Sequence, residues 1–362
     1  MKVLKKNKDF LNKINLLDMS REKMEFFFNS IGESKFRAIQ VMEWIYHHYC
    51  DQFELMSNLS VKLRKKLSKI AIIYSPKIFY KKISNDGTIK FVLRMEDNNT
   101  VETVYIPEKK RATLCISTQI GCNVGCKFCA TAQQGFNRNL KVSEIIGQIW
   151  IINRIIHFMK IKKIRYVTNI VFMGMGEPLL NIKNVVESIK IMIDDFGFNF
   201  SKKKITLSTS GIVPIIEKLY EMIDIPLALS LHASNDLLRN KIMPINKIYN
   251  IQNILNSVNV FLKKSHINKK ITIEYVMLKD INDTSENAKE LANCLKRVPS
   301  KINLIPWNFF PGSMYKSSSK ENIINFSNIL KKYGFITLIR KNRGNDINAA
   351  CGQLVWNIKK IF

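Results

Sequence analysis

Three cysteines stand out first: Cys122, Cys126 and Cys129, within the segment GCNVGCKFCATA. A thiolate is both a metal ligand and a nucleophile. Three thiolates on one short loop can reach three irons of a four-iron cluster and leave the fourth open to an outside chelator. The spacing C-x3-C-x2-C matches neither the bacterial ferredoxin run C-x2-C-x2-C-x3-C-P nor the plant type C-x4-C-x2-C. Structural zinc takes four ligands, commonly in C-x2-C pairs. Here the first gap is three residues and no second pair follows, so zinc is the alternative that spacing disfavours. The remaining cysteines, Cys50, Cys115, Cys294 and Cys351, are scattered, and the odd total of 7 favours metal or thiol chemistry over a disulfide framework.

An open iron suits the amino and carboxylate groups of S-adenosylmethionine, and one electron from the cluster can split its sulfonium. With Phe128 just before the last cysteine, the loop resembles that of the radical S-adenosylmethionine superfamily. The resemblance implies one [4Fe-4S] cluster on Cys122, Cys126 and Cys129, with the cofactor beside it. Further along comes Gly174-Met175-Gly176-Glu177-Pro178. Glycines let a backbone approach a ligand closely, and a carboxylate can pair with an ammonium. Alone this is also an ordinary strand-to-helix turn. One strand after the cysteine loop, it is similar to the superfamily's Gly-Glu contact to the cofactor's amino group, at Gly176 and Glu177. Ser208 in LSTSG, Ser230, Leu231 and His232 in LSLHAS, and Asn308 in IPWNFFPG also end expected strands. Their polar atoms suit ribose, carboxylate or adenine, although each alone reads as a cap, a loop residue or, for His232, a packed histidine.

These residues need a scaffold, and the chain from about residue 100 supplies a rhythm for one. Short apolar runs at 112–117, 169–174, 204–208, 226–231, 271–277, 302–306 and 335–339 alternate with helical stretches near 143–159, 182–195, 212–223, 251–264, 284–297 and 320–333. Strand alternating with helix specifies a parallel sheet with right-handed crossovers. The expected fold class is α/β: an incomplete (β/α)6 radical S-adenosylmethionine barrel, with ligands at the carboxyl ends of the strands. Residues 1–95 read as a small, mainly helical accessory unit ahead of a catalytic domain over 96–362. Asp18 or Ser20 could cap a helix through Met24 to Phe28, and further helices fit Phe36 to Tyr49 and Val61 to Ile70. The runs KIFYKKIS and TIKFVLRME follow, with Asn85-Asp86-Gly87 as the turn between them.

The 362-residue chain carries a formal net charge of +28, a field that attracts polyanions, nucleic acid first among them. No apolar run approaches the roughly 18 residues of a membrane span. The opening MKVLKKNKDFLNKINLLD interleaves Lys and Asn with its apolar residues, unlike a signal peptide. A cytoplasmic protein without a membrane partner is expected.

Taken in order, GMGEPLLN, LSTSG, LSLHAS, NLIPWNFFPG and RGNDINAACGQL resemble the RlmN family, and FRAIQVMEWIYHHY is similar to that family's N-terminal RNA-binding unit. Asn345 departs mildly, where an acidic residue is expected. The family methylates C2 of an adenine in 23S rRNA and of an adenine in the tRNA anticodon stem-loop. That carbon has no acidic proton and no nucleophilic lone pair, so delivery of a methyl cation is unfavourable, whereas a carbon radical can add. The resemblance implies two S-adenosylmethionine molecules per turnover. Cys351 accepts a methyl from the first. The second yields a 5′-deoxyadenosyl radical that takes hydrogen from that methyl, and the resulting radical adds to C2. An electron and a proton are then lost, the proton to Glu102, which leaves a thioether cross-link, and Cys115 attacks the sulfur of Cys351, releasing product and leaving a transient Cys115–Cys351 disulfide. By themselves, Cys351 is a small residue in an Ala-Ala-Cys-Gly stretch, Cys115 a buried strand residue and Glu102 a hairpin carboxylate. Arg340, Lys341 and Arg343 lie near enough in sequence to give Cys351 a positive field or to bind phosphate. The implied partners are 23S rRNA, tRNA and a low-potential electron donor such as flavodoxin, with a monomer as the working form. Two alternatives stay open: a Cfr-type enzyme acting at C8 of the same ribosomal adenine, and a zinc-bound RNA-binding protein without catalysis.

Overall fold

The computed structural model describes residues 13–159 and 165–355. Most of the Lys- and Asn-interleaved opening, residues 1–12, lies outside the described residues. Ten strands form one sheet whose spatial order follows the chain: β1 (Lys77–Ile83), β2 (Ile89–Arg94), β3 (Thr100–Pro107), β4 (Ala112–Cys115), β5 (Asn169–Phe172), β6 (Ile205–Thr209), β7 (Leu227–Ser230), β8 (Ile271–Met277), β9 (Ser300–Pro306) and β10 (Ile336–Ile339). Strands β1 to β4 pair antiparallel as hairpins. From β4 to β10 every pairing is parallel. All seven runs expected as strands are these parallel strands. Strands β4 and β10 do not pair, so the barrel stays open.

After α1 (Arg21–Ser30), α2 (Phe36–Tyr46) and α3 (Val61–Ile70), helices α4 (Val142–Met159), α5 (Ile182–Ile193), α7 (Ile251–Lys264), α8 (Ser285–Leu295) and α9 (Lys320–Lys332) cover the outer face, while α6 (Asp236–Ile242) lies over the strand ends beside the cysteine loop. The helix expected over 212–223 is instead two short helices, Val213–Ile216 and Leu219–Met222, and α6 was not anticipated. The reason for the parallel architecture is legible in burial. Ile170, Phe172, Ile205, Leu207, Leu229, Ile273 and Leu304 are fully or almost fully buried on the helix side. Alternate positions carry Thr113, Asn169, Thr206, Thr272, Glu274 and Asn303, which line the barrel lumen. The period of two therefore separates an apolar jacket from a polar interior.

The N-terminal helices bury Leu16, Leu17, Met24, Phe28, Val41, Met42 and Ile45, which join one continuous core with the barrel. They seat firmly on the barrel. Trp150 donates its indole N–H to the Ile45 carbonyl at 2.7 Å, and Arg21 pairs with Asp194 at 2.6 Å. Asp18 does not cap its own neighbouring helix; its Oδ1 accepts from the Ser143 amide in the first turn of α4 at 2.7 Å. The hairpin of β1 and β2 belongs to the large sheet, so residues 77–94 continue the sheet of the catalytic region rather than the helical bundle.

Candidate active site

The cysteine loop leaves the barrel just after β4. Residues Gln119–Gly121 and Phe136–Asn139 pair antiparallel and pinch the excursion at its base, where the Cys122 amide donates to the Gly135 carbonyl at 2.9 Å. Gly121 has φ +78, and a Cβ there would collide with the Gly135 carbonyl, so the pinch requires glycine. Three separate elements then hold the loop. The Lys127 amide donates to the Ile242 carbonyl of α6 at 3.0 Å. The Trp307 indole, after β9, donates to the Phe128 carbonyl at 3.0 Å. From the C-terminal strap, the Gly352 and Leu354 carbonyls accept from the Ala130 amide and the Thr131 hydroxyl, each at 2.7 Å.

The three cysteines are free thiols on one cavity of about 150 Å³ at the carboxyl ends of the parallel strands. Burial pushes Cys122 up to about 12 and Cys126 well above the ordinary thiol range, and Cys129 is raised for the same reason; repulsion among the cysteines adds to the first two. Deprotonating three adjoining buried thiols requires a strongly cationic partner, and iron bound through each sulfur is one. Among the described residues, no three His, Cys, Asp or Glu side chains converge as the ligands of a single ion do. Thiolates that each bind a different iron of a cluster are free of that requirement.

Across the cavity, a Cβ on Gly174 would lie 2.6 Å from the Ile116 carbonyl oxygen, and one on Gly176 (φ +98) 2.5 Å from the Gln119 Cβ. The glycines thus bring the β5 loop against the strand that carries the cysteine loop. Gln119 locks the contact by accepting from the Glu177 amide at 2.8 Å. The Glu177 carboxylate is buried. It accepts from the Leu179 amide at 3.0 Å and from the Ser210 amide and hydroxyl at 2.7 and 2.8 Å. Burial raises its pKa while these donors pull it down. Ser208 and Ser230 stand side by side, hydroxyl to hydroxyl at 3.5 Å, on the same cavity.

His232 also lines it, in a left-handed backbone conformation (φ 60). Its Nδ1 accepts from the Val276 amide at 3.0 Å, leaving Nε2 as the protonated nitrogen, and burial pushes its pKa down to about 3. A histidine so held is neutral and donates through Nε2. Phe128 packs edge-on against it at 4.9 Å. Leu231 is placed differently: its side chain is fully buried off the cavity, its amide donates to Glu274 and its carbonyl accepts from Arg239. Asn308 donates to the Cys351 carbonyl at 3.3 Å. It lines the neighbouring cavity rather than the one shared by the three loop cysteines.

That second cavity brings Cys115, at the end of β4, together with Cys351. Both are free thiols, so the implied disulfide is not formed in this structure. Burial pushes Cys115 up to about 12, with the nearby Cys351 raising it and Arg340 lowering it. The Arg340 Nη1 lies 4.0 Å from the Cys351 sulfur and 3.8 Å from the Met173 sulfur. Glu102 lines neither cavity. It is fully buried on β3, paired with Lys90 at 2.9 Å, and its other oxygen accepts from the Val355 amide at 2.9 Å. Lys90 also donates to the Asn348 carbonyl at 3.2 Å. The pair thus clamps both ends of the strap that carries Cys351.

Residues 14–73 match the family model described as the ribosomal RNA large subunit methyltransferase N-terminal domain, and residues 116–292 match the radical SAM superfamily. A dual-specificity RNA methyltransferase RlmN from Buchnera aphidicola subsp. Schizaphis graminum is 58% identical over 348 residues, covering 96% of this chain and 95% of the relative. The chain belongs to the RlmN family. A radical SAM methyltransferase from Sphaerobacter thermophilus has a matching structure, with TM-score 0.88 and 36% identity over 94% of this chain and 99% of that one. Membership of the RlmN family and the radical SAM fold carry a [4Fe-4S] cluster and S-adenosylmethionine as cofactors, and the buried thiols and glycine cradle fit them.

The RlmN-family motifs also depend on residues that the sequence reading passed over. Arg239, fully buried on α6, donates to the carbonyls of Leu231 at 3.0 Å, Ser210 at 2.6 Å and Ser230 at 3.2 Å. It staples together the two strand ends that carry the serines. In sequence Arg239 is one charge among the polar residues of NDLLRNK, and nothing there marks it as buried. Asn282 similarly holds His232 and Val276 by their carbonyls, at 2.9 and 2.7 Å.

Proposed function

We propose that this chain is a radical S-adenosylmethionine RNA methyltransferase that methylates C2 of an adenine in 23S rRNA and of an adenine in tRNA. The observation that carries the reading is the meeting of Cys115 and Cys351 on one cavity directly beside that of the three cluster cysteines. When bound, the cluster and cofactor supply a methyl group and one-electron chemistry. Cys351 takes the methyl on its sulfur by nucleophilic displacement and carries it to the base, with the Arg340 guanidinium stabilising the thiolate. The cross-linked radical adduct then gives up one electron, which the bound cluster would take back, and one proton to Glu102, assigned on the family pattern and bonded to the Cys351 strap at Val355. Cys115 then attacks the Cys351 sulfur. A sulfur–sulfur bond forms, the sulfur–carbon bond to the RNA breaks, and later reduction restores both thiols.

The excess of positive charge supplies phosphate contacts whose strength falls steeply with salt. The helical N-terminal unit, seated on α4, is taken as part of the RNA grip. The target base must leave its stack to reach a buried site. No described helix is long and apolar enough to cross a membrane. The reading is completed by a cytoplasmic monomer served by a low-potential donor such as flavodoxin. The Cys115→Ala variant tests it. It should accumulate a covalent protein–RNA adduct, visible as a shifted band that ribonuclease removes. Absence of the adduct in a variant that still methylates Cys351 contradicts the assignment.

A further inference from the structure

Deep in the barrel, Glu274 on β8 has no part in the chemistry described above. Its side chain is almost fully buried, and it lines both the cluster cavity and the polar lumen below. Asn303, its neighbour across the sheet, donates to Oε1 at 3.0 Å. Oε2 makes no hydrogen bond; the nearest cation, Arg340 Nη1, stops 4.0 Å away. A buried carboxylate oxygen left without a donor is costly in a protein built only to be stable. One aimed into a cavity is an acceptor waiting for a ligand donor.

Arg340 completes the pattern. The same Nη1 lies 4.0 Å from Cys351 and 4.0 Å from Glu274. An acceptor and a donor stand side by side at the junction where the cluster cavity, the thiol cavity and the lumen share Met173 and Arg340. The lumen, about 460 Å³, is also lined by Lys204 and Lys301 at the amino ends of β6 and β9 and by Lys341 and Arg343 after β10, cations suited to phosphate, with Glu108 among them.

Resting on the proposed function, we infer that Glu274 and Arg340 read the substrate adenine itself: Glu274 Oε2 accepts from the 6-amino group and Arg340 donates to N1. Adenine presents those two groups side by side as donor and acceptor on its pairing edge. C2 is bonded to N1. A guanidinium that holds N1 while lying beside the Cys351 sulfur therefore sets C2 next to the methyl carrier. The pair fixes both which base is accepted and which carbon faces the sulfur. Guanine, with a 6-oxo group and a protonated N1, would set oxygen against carboxylate and N–H against guanidinium. A site built to bond a polar group rejects the analogue lacking it.

Binding competition tests this with the holoenzyme and unlabelled anticodon stem-loop RNAs carrying one altered target base. Wild type should bind adenine RNA about 10-fold more tightly than RNA carrying purine, which lacks the 6-amino group, or 1-deazaadenine, which lacks N1. Glu274→Met should lose the first preference and keep the second, and Arg340→Met the reverse. Glu274→Gln, which keeps an acceptor oxygen, should retain part of the first. This crossed pattern is not what a general packing defect produces; iron content and cofactor cleavage without RNA report on folding. Equal wild-type affinity for all three RNAs overturns the inference, as does parallel loss of both preferences in Glu274→Met. If wild type leaves adenine RNA unmethylated, it is the proposed function that fails.

Discussion

Lys90→Met removes the cation from a fully enclosed ion pair. In the wild type, Lys90 lies 2.9 Å from Glu102 and also bonds the Asn348 carbonyl, while Glu102 bonds the Val355 amide. Breaking such a pair by removing one partner costs about 3–5 kcal/mol, because a charge is left buried and unpaired. Glu102 can escape by taking a proton, which places the expected cost near the lower end, about 3 kcal/mol at pH 7.5. The sign with pH follows. Burial holds Glu102 above its ordinary value of 4.5, and Lys90 pulls it back down. Without Lys90 it rises further. A carboxyl raised in the folded state destabilises the fold above that raised pKa and ceases to do so once pH falls below its unfolded value. The defect should therefore be larger at neutral pH and shrink as pH drops towards the unfolded carboxyl range. The Asn348 end of the Cys351 strap loses its anchor and the Val355 end is left on a carboxyl without its cation, so the damage is local. Hydrogen exchange over residues 345–355 should show protection falling about 100-fold at pH 7.5, the equivalent of roughly 3 kcal/mol. The loss should be smaller at pH 5.5, and largely reversed in Lys90→Met/Glu102→Gln. Unchanged strap protection in Lys90→Met, or a defect that grows on acidification, would refute the reasoning.

Cys351→Ala should abolish methyl transfer while leaving cofactor cleavage measurable as 5′-deoxyadenosine; full RNA methylation in that variant refutes the carrier role. Gly176→Ala forces a side chain into φ +98 and against Gln119, displacing Glu177. With at least about 1–2 kcal/mol of backbone strain added to the clash, S-adenosylmethionine affinity should drop 10-fold or more at unchanged iron content, as read by equilibrium binding. Unaltered affinity would remove the glycine cradle from the cofactor site.

The parallel strands were legible because they are short apolar runs separated by helical stretches. The cysteine loop was legible because its spacing excludes the common alternatives. Other parts depended on contacts between distant residues. Lys90 and Glu102 are diagonal neighbours across the β2–β3 pairing, opposite Val104 and Val92 respectively, and belong together only once that register exists. In sequence each is an ordinary charge on a hairpin, and nothing marks them as buried. For the same reason KIFYKKIS and TIKFVLRME gave no sign that they extend the barrel sheet. Glu274 in ITIEYVM reads as a solvent-facing position of an alternating strand, and only closure of the sheet turns that face inward. Leu231 was placed among the ligand-binding residues by its neighbours Ser230 and His232, yet alternation sends its side chain into the jacket.

The most direct test of the whole account is the identity of the methylated nucleoside. RNA from a strain lacking the enzyme, with and without this chain restored, is digested and analysed by mass spectrometry against both standards. The account predicts 2-methyladenosine in 23S rRNA and tRNA only when the chain is present with Cys351 intact. Appearance of 8-methyladenosine in its place, or no methylated adenosine at all, would contradict it.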